Sequence, residues 1–354
     1  MKILFTGGGT AGHVTPNLAI IDSIDKNEHE IIYVGRTEGI EKDLVSQKGI
    51  EYFGLASGKM RRYLSFENVK DFFRVIKGIF QANKIMKEQK PDVIFSKGGF
   101  VAVPVVIAGA INKVPVVCHE SDITPGLTTK ISAWFARKIC VSFPDTIRHF
   151  IPDKCVVTGT PIRDEVLNGS RERGLELCGF NNEKPVVLVI GGSTGSKVIN
   201  MVVREALEEL IKDYQIIHIC GKDNIDERFN EVEEYKQFGY VKEELADLYS
   251  AADIIVSRAG ANVIFEILNL KKLNILVPLS KKVSRGDQIQ NAVFFEVKGY
   301  SRMLREERFN DYTLINDISE VLERKEMYLE NIEKSELKNS KELIIKEILA
   351  TAKV

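Results

Sequence analysis

The sequence KILFTGGGTAGHVTP, residues 2–16, is the clearest indication of the fold class of this chain. Its apolar start passes directly into a glycine-rich turn, and Pro16 suits the first turn of a following helix. A buried strand that ends in such a turn, at a helix N-terminus, is typical of a parallel α/β unit and offers bare N–H groups to an anion. A second stretch of this kind, VVLVIGGSTG, occupies residues 186–195. We therefore predict an α/β chain with two Rossmann-like halves in tandem, whose half-sites face each other across a cleft.

Short runs rich in Val and Ile recur through both halves and alternate with longer amphipathic stretches, as in βαβ units. In the first half, strands are predicted at residues 3–6, 31–35, 93–96, 114–118 and 139–142. In the second half, they are predicted at residues 186–190, 216–220, 254–257 and 274–279. Residues 159–184 are polar and rich in turn formers, which predicts a linker, and the tail from residue 310 is predicted to be helical.

The composition limits the classes of protein to which the chain can belong. Its 354 residues predict about two domains, because a domain usually holds about 100–200 residues. A net charge of −1 and a hydrophobic content of 44% exclude collagen, a disordered chain and a polybasic nucleic-acid binder. A glycine cuts the apolar run at the start of the chain, so neither a signal peptide nor a transmembrane anchor is expected. Without zinc or redox spacing, the five cysteines are expected to be reduced thiols of a cytosolic protein: Cys118, Cys140, Cys155, Cys178 and Cys220.

The first glycine turn admits two interpretations. Gly7, Gly9 and Gly12 satisfy the dinucleotide fingerprint, but the acid expected at the end of the second strand is replaced by Arg36. Because an arginine there suits a 2′-phosphate, an NADP oxidoreductase stays an alternative. His13 follows the turn and has the chemistry of a general base, although a role in capping the turn by hydrogen bonding is equally compatible with its position.

The second half carries three polar turns at predicted strand ends, where α/β proteins build their sites. Residues 191–193 form a second anion turn that lacks the P-loop spacing. Residues 257–262 form another, and Glu266 lies a short way along the next helix, where its carboxylate could accept both hydroxyls of a ribose or simply face solvent. Residues 284–292 are rich in Asp, Gln and Asn, which suit sugar hydroxyls.

Several ordered motifs resemble those of the MurG family, the glycosyltransferases that add N-acetylglucosamine to lipid I to give lipid II in bacterial peptidoglycan synthesis. The resemblance covers nearly the whole chain and is carried by GGTAGHVTP at 8–16, GGFV at 98–101, HESD at 119–122, GTPIR at 159–163, GGS at 191–193 and RAG at 258–260. It implies the GT-B fold, with an N-terminal acceptor and membrane-facing domain at 1–162 and a domain that binds the UDP-sugar at 163–335. It also implies that a C-terminal helix, 336–354, packs back on the first domain.

The resemblance also implies roles for individual residues. Those near the sugar and phosphates of the donor UDP-N-acetylglucosamine are Thr10, Ala11 and Gly12, with Arg163 and Ser193 on the pyrophosphate. Those implied to contact the nucleotide are Val241, Ala261, Asn262 and Glu266. The backbone of Val241 would contact uracil, and Glu266 would bind the ribose. Those on the transferred sugar are Gln288 and Asp287. The chain departs from some members at Ala11, at Asp287 and at Ser121-Asp122, where Asp122 adds a charge near the proposed acceptor pocket.

The implied reaction is a direct displacement at the anomeric carbon by the 4-hydroxyl of the muramyl sugar, with inversion and loss of UDP. A sugar hydroxyl needs a base, for which His13 is the first choice and Asp122 the second. Arg163, Ser193 and the helix N-termini would stabilise the leaving diphosphate. No Asp-x-Asp pair is present, so neither a metal nor another cofactor is expected. His119 and Glu120 either orient the acceptor or support the first loop, or they form an ordinary hydrogen-bonded pair at the domain interface.

A basic segment points to the membrane that holds a polyprenyl acceptor such as lipid I. Residues 59–90 carry nine Lys or Arg against three acids. Basic side chains beside an apolar ridge favour an anionic cytoplasmic leaflet, which predicts a peripheral protein on the cytoplasmic face of the plasma membrane. The alternative is an amphipathic helix that buries its apolar face in the core. The residues concerned are Phe72, Phe73, Val75, Ile76, Ile79 and Phe80, with Arg74, Lys77 and Lys84.

Three rival functions remain compatible with the sequence. They are an NADP oxidoreductase, another GT-B enzyme such as a UDP-sugar epimerase or a transferase with a soluble acceptor, and a non-catalytic nucleotide-sugar sensor. The second anion turn and Glu266 disfavour the first, the basic apolar segment disfavours the second, and a sensor would bind the donor without turnover.

Overall fold

A computed structural model describes residues 1–58, 66–192, 194–337 and 340–352. They form two compact units: the first runs from Met1 to Arg163 and includes the last helix of the chain, and the second begins at Asp164. Each unit is built on one β-sheet in which every pair of neighbouring strands is parallel.

The first unit alternates strands and helices. Its elements are β1 (Lys2–Thr6), α1 (Ala11–Asp22), β2 (Glu30–Arg36), α2 (Ile40–Ser46), β3 (Glu51–Leu55), α3 (Phe66–Gln89), β4 (Val93–Ser96), α4 (Ala102–Ile111), β5 (Val116–Glu120), α5 (Leu127–Phe135), β6 (Lys138–Val141) and β7 (Cys155–Val157). The strand order is β3-β2-β1-β4-β5-β6-β7. Helices α3, α4 and α5 bury apolar side chains against one face of the sheet, and α1 and α2 cover the other.

The second unit repeats this pattern. Its elements are α6 (Asp164–Leu167), α7 (Arg171–Cys178), β8 (Val186–Ile190), α8 (Lys197–Glu205), α9 (Leu207–Asp213), β9 (Gln215–Ile219), β10 (Tyr235–Phe238), α10 (Leu245–Ala251), β11 (Ile254–Ser257), α11 (Ala261–Asn269), β12 (Leu273–Leu276), α12 (Asp287–Val297), β13 (Arg302–Met303), α13 (Asp311–Glu323) and α14 (Lys325–Glu333). The strand order is β10-β9-β8-β11-β12-β13.

The final helix, α15 (Lys341–Ala352), belongs to the first unit. Its Ile344 and Ile348 are fully buried, in the same apolar cluster as Ile3 and Phe5 of β1. The amphipathic spacing of these two residues, four positions apart, places both on the face that meets the sheet.

The strand order confirms the predicted fold class, with two Rossmann-like sheets in one chain. All nine predicted strands are present within a few residues of their expected bounds. The interpretation of residues 159–184 as a linker is wrong for two parts of that stretch, which form α6 and α7. Val166, Leu175 and Phe180 are buried in the core of the second unit, so these helices are part of its fold.

The topology also locates the sites. In each sheet the order reverses beside the first strand, between β1 and β4 and between β8 and β11. Loops that leave the carboxyl ends of such a pair diverge, and ligands of α/β proteins bind in the resulting crevice. The five cysteines are free thiols. Among the described residues, no helix is both long and apolar enough to cross a membrane.

Candidate functional site

The loop after β1 lies against the loop after β4. Gly99 has a φ of +86°, and a Cβ at this position would overlap the carbonyl oxygen of Gly8. Only glycine combines this backbone conformation with so close an approach. The carbonyl of Gly7 accepts a hydrogen bond from the buried Tyr33 hydroxyl at 2.7 Å. The two loops are therefore fixed to each other and to the sheet beneath.

A buried carboxylate occupies the inner side of the first loop. Glu41 is fully buried, and its Oε2 accepts from the amide of Gly9 at 3.4 Å while its Oε1 accepts from Arg36 Nε at 2.9 Å. Burial is the strongest single influence and opposes ionisation, but the hydrogen bond and charge of Arg36 and the backbone amides together outweigh it and lower the pKa of Glu41. This turn thus binds a carboxylate of its own chain, and Arg36, offered above to a 2′-phosphate, is paired. The geometry argues against the NADP alternative.

His13 lies in the first turn of α1, at the edge of this loop. Its ring Nδ1 is 3.1 Å from the carbonyl oxygen of Lys97. A carbonyl can only accept, so Nδ1 carries the proton, and in the neutral ring the lone pair is on Nε2. His13 is half-buried, whereas Thr10 and Gly12 are exposed; the side chain of Ala11, the first residue of α1, is not described. The Lys97 carbonyl therefore sets the tautomer of the ring, with Nε2 as its basic nitrogen.

Lys97, which the sequence did not point to, contacts three residues of the predicted site region: His13, His119 and Ser121. Its side chain is 3% exposed, and its Nζ contacts Ser121 Oγ and lies 2.8 Å from His119 Nδ1. Burial lowers the pKa of Lys97 to about 8, although the carboxylates of Glu120 and Asp122 oppose that shift. A lysine directly after a buried strand, before a glycine pair, was the signal that could have found it.

The HESD motif forms the end of β5 and the start of its loop. Burial and the Lys97 charge keep the pKa of His119 well below its usual range, so its ring is neutral. Glu120 is 6% exposed and accepts from the amides of Asp122 and Gly126 at 3.0 and 3.1 Å. Asp122 is half-buried. His119 thus binds Lys97 and the carbonyl of Gly159, and Glu120 binds two amides of the following loop.

In the second unit, the loop after β8 is held by an arginine. Ser196 caps α8, and its Oγ also accepts from Arg258 at 2.7 Å. Arg258 is 8% exposed, donates to the carbonyl of Val277 at 3.1 Å, and forms an ion pair with Glu306 at 2.5 Å. It thereby ties together the loops after β8, β11 and β12. Ser193 lies outside the described residues.

The N-terminal part of α11 gathers several predicted donor contacts. Asn262 and Glu266, four positions apart, share one face of this helix and are half-buried. The hydroxyl of Tyr249 lies 3.5 Å from Glu266 Oε2. The Oε1 of Gln288 accepts from the amide of Leu279 at 3.1 Å, which holds its side chain close to Gly260, the residue before Ala261. The structure thus brings Ala261, Asn262 and Gln288 to one end of α11, with Glu266 one turn along.

Three other predicted residues lie elsewhere. Val241 follows the edge strand β10, three positions from β11 in the sheet, and is buried in the core. Asp287 begins α12 next to Gln288, 3.6 Å from Arg285. Arg163 is half-buried and is the last residue of the first unit before the chain enters the second. Within the described ranges, no group of three or more His, Cys, Asp and Glu could hold a metal ion.

Two family models match the chain, one in its first half and one in its second. Residues 3–141 match the glycosyltransferase family 28 N-terminal domain, and residues 186–348 match the family 28 C-terminal domain. A UDP-N-acetylglucosamine–N-acetylmuramyl-(pentapeptide) pyrophosphoryl-undecaprenol N-acetylglucosamine transferase from Clostridium botulinum (strain Langeland) is 54% identical over 338 residues, covering 96% of each chain.

Two solved structures share the fold. A crystal structure of MurG from Acinetobacter baumannii superimposes with a TM-score of 0.78 at 22% identity, over 99% of each chain. A UDP-N-acetylglucosamine 2-epimerase from Neisseria meningitidis, bound to UDP-N-acetylglucosamine, gives 0.67 at 13% identity, over 99% of this chain and 100% of that one. Both an epimerase and a transferase therefore match this fold, and the predicted GT-B class is confirmed.

Proposed function

This chain belongs to the MurG family of glycosyltransferase family 28, and we propose that it transfers N-acetylglucosamine from UDP-N-acetylglucosamine to the muramyl 4-hydroxyl of lipid I, giving lipid II and UDP in peptidoglycan synthesis. The observation that carries this function is the 54% identity to the Clostridium botulinum transferase over 96% of both chains. The epimerase shares the fold at only 13% identity, so the sequence relationship favours a transferase.

The base of the reaction is His13. Its Nδ1–H is bound by the Lys97 carbonyl, so Nε2 takes the proton of the acceptor hydroxyl as the new glycosidic bond forms at the anomeric carbon. The electron pair of the breaking bond leaves with UDP. This division of roles is supported by the tautomer that the Lys97 carbonyl imposes.

The donor is held by the second unit. Glu266 accepts hydrogen bonds from the ribose hydroxyls, and Asn262 lies on the same face of α11. Gln288, fixed by the Leu279 amide, and Asp287 beside it contact the transferred sugar. The backbone of Val241 meets uracil. The α8 and α11 N-termini carry about half a positive charge each, and with Ser193 and Arg163 they stabilise the diphosphate that departs.

A stripe on α3 supports docking at a bilayer surface. Phe73 and Phe80 are 64% and 71% exposed, and Lys77, Lys84 and Lys87 continue the same side of the helix at spacings of three or four. The opposite side of the helix is buried in the core, and the exposed side is the one that we propose meets the membrane. Residues 59–65 lie outside the described ranges, and the side chain of Phe72 is not described.

Helix α5 also exposes apolar side chains. Its Trp134 is 85% exposed, with Leu127 and Phe135 also exposed, and α5 and α3 pack on the same face of the sheet. Aromatic rings seat at the headgroup level of a bilayer, and each basic side chain adds about 1 kcal/mol on an anionic surface. We propose the cytoplasmic leaflet as this surface, because the acceptor there is anchored by its polyprenyl chain.

The test is UDP release from UDP-N-acetylglucosamine, with a short-chain lipid I analogue, with the same muramyl compound without lipid, and with no acceptor. The proposed function predicts release that depends on an acceptor and is faster with the lipid-linked one. Conversion of UDP-N-acetylglucosamine in the absence of any acceptor would point to an epimerase and would refute the proposed transferase activity.

A further inference from the structure

Arg258 links the loops at the carboxyl end of the sheet in the second unit. It lies directly after β11, and its guanidinium donates to Ser196 Oγ, after β8, at 2.7 Å and to the carbonyl of Val277, after β12, at 3.1 Å. It also forms an ion pair with Glu306, just after β13, at 2.5 Å. One buried side chain thus joins segments that follow four neighbouring strands.

The contact with Ser196 fixes the anion turn that follows β8. Ser196 caps α8, and its Oγ accepts from the amide of Ile199 at 3.4 Å as well as from Arg258. The turn is tightly closed, because a Cβ on Gly191 would lie 2.6 Å from the amide nitrogen of Ser196. A shift of Ser196 would therefore displace the backbone of Gly191 and, with it, the N–H groups that this turn offers to an anion.

The segment after Arg258 reaches two more elements of the proposed donor site. Gly260, two positions later, is the N-cap of α11. The carbonyl of Ala259 accepts from the buried Asn291 of α12 at 3.3 Å, so this segment is also bound to the helix that holds Gln288. The proposed function assigns the donor to the N-termini of α8 and α11 and to the start of α12. Arg258 lies where these three elements meet.

We propose that Arg258 is a positioning residue for the diphosphate of the donor: it aligns the N-termini of α8 and α11, and it acts through the geometry of its hydrogen bonds rather than through its charge. This inference rests on the proposed function and deepens it. The guanidinium binds three partners of its own unit, and the carboxylate of Glu306 offsets its charge. The N–H groups and helix dipoles that it aligns stabilise the negative charge of the diphosphate.

The test compares the binding of UDP with that of uridine, which lacks the diphosphate, by NMR titration of the full chain. Arg258→Met should bind UDP about 10- to 100-fold more weakly and uridine as the parent does, because only the phosphate contacts are displaced. Arg258→Lys should not restore UDP binding, since an ammonium on a flexible stem cannot hold three partners in the fixed directions of a planar guanidinium. A residue that only stabilised the fold would not affect UDP and uridine differently.

A pair of serine variants gives the same test without removing a buried charge, should Arg258→Met fail to fold. Ser196 and Ser170 cap α8 and α7, two helices of the second unit, through their side-chain oxygens. Ser196 also accepts from Arg258, whereas Ser170 also donates to Glu172 beside it. Ser196→Ala should weaken UDP binding about 5- to 20-fold and leave uridine binding unchanged. Ser170→Ala, the matched control, should keep both affinities within about twofold of the parent.

Three results would overturn the inference: parental UDP affinity in Arg258→Met or Ser196→Ala, UDP affinity restored by Arg258→Lys, or an equal loss for UDP and uridine. These titrations contain no acceptor, so their outcome is independent of sugar transfer. If the parent protein transfers no sugar but the variants lose UDP affinity as expected, the proposed function is wrong and the role of Arg258 stands. If the parent transfers sugar and the variants bind UDP as it does, the function stands and the inference is wrong.

Discussion

His13 Nδ1 lies 3.1 Å from the carbonyl oxygen of Lys97, and this one contact fixes the tautomer of the proposed base. The donor on that side must be the ring N–H, so the basic nitrogen is Nε2. The same contact is compatible with a general base and with a histidine that only caps a turn, so kinetics of His13 variants must decide between them.

Replacement of His13 by Ala should lower kcat by about 10²- to 10⁴-fold, the usual contribution of a general base. The affinity for UDP-N-acetylglucosamine should change little, because we propose that the second unit holds the donor. Steady-state kinetics with the lipid I analogue and a calorimetric donor titration measure the two effects. His149, exposed in a 3-10 turn of the first unit, gives the control variant His149→Ala, which should behave as the parent. Equal activity of the two variants would refute the assignment.

Replacement of Glu266 by Gln should weaken binding of the donor, UDP-N-acetylglucosamine. A hydrogen bond to a charged group contributes about 1.5–3 kcal/mol, so we expect the KM for UDP-N-acetylglucosamine to rise about 10- to 100-fold. The rate at saturating donor should fall much less. Glu205→Gln, at the exposed end of α8, is the control. If Glu266→Gln leaves donor affinity unchanged in an equilibrium titration, the carboxylate does not bind the ribose.

Replacement of Glu41 by Gln should destabilise the first unit by about 2 kcal/mol, because it leaves the partly exposed Arg36 without its buried partner. The pKa of Glu41 is lowered on folding, so its stabilisation is present above the ordinary value of 4.5 and is lost as the pH falls through the folded value. Urea unfolding at pH 7 and at successively lower pH measures this. The difference in free energy of unfolding between parent and variant should become smaller in acid. A difference that does not change with pH would contradict a stabilising Glu41–Arg36 ion pair. Glu51→Gln, exposed on β3, controls for loss of a charge.

Replacement of Phe73 and Phe80 together by Ser should weaken binding to vesicles rich in anionic lipid. The two rings are largely exposed, so the folded protein should keep its stability and its turnover of a water-soluble acceptor analogue. Tyr312→Ser, an equally exposed aromatic residue of the second unit, is the control. Vesicle sedimentation at low and high salt is the measurement, and binding should also fall with salt, because the lysines of the stripe contribute. Unchanged binding by the double variant would exclude this surface.

The strands that the sequence predicted and those that it missed differ in position. The four missed strands, β3, β7, β10 and β13, are the two outer strands of each sheet. They are only partly buried, whereas the residues of central strands such as β4, β8 and β11 are almost all buried. A parallel strand covered on both faces reads as a continuous apolar run, and an outer strand does not. Apolar runs therefore located the centre of each sheet and not its edges.

The site could be predicted to the extent that it depends on strand ends. The loops that hold His13, Ala261 and Gln288 follow apolar runs, so the parallel topology alone places them at the carboxyl edge. Glu41 and Lys97 could not be found in that way. Glu41 reaches the first loop from α2, 32 positions later, and Lys97 meets His119 across two strands. Such contacts depend on side-chain packing that a local pattern does not contain.

The mass and anomeric configuration of the reaction product show whether the protein transfers N-acetylglucosamine to lipid I with inversion. UDP-N-acetylglucosamine and a short-chain lipid I analogue should give a product heavier by one N-acetylhexosamine, in β linkage, with one UDP released for each sugar transferred. His13→Ala should form the same product far more slowly. Release of UDP without a heavier acceptor, or an α-linked product, would contradict direct displacement by a hydroxyl that His13 activates.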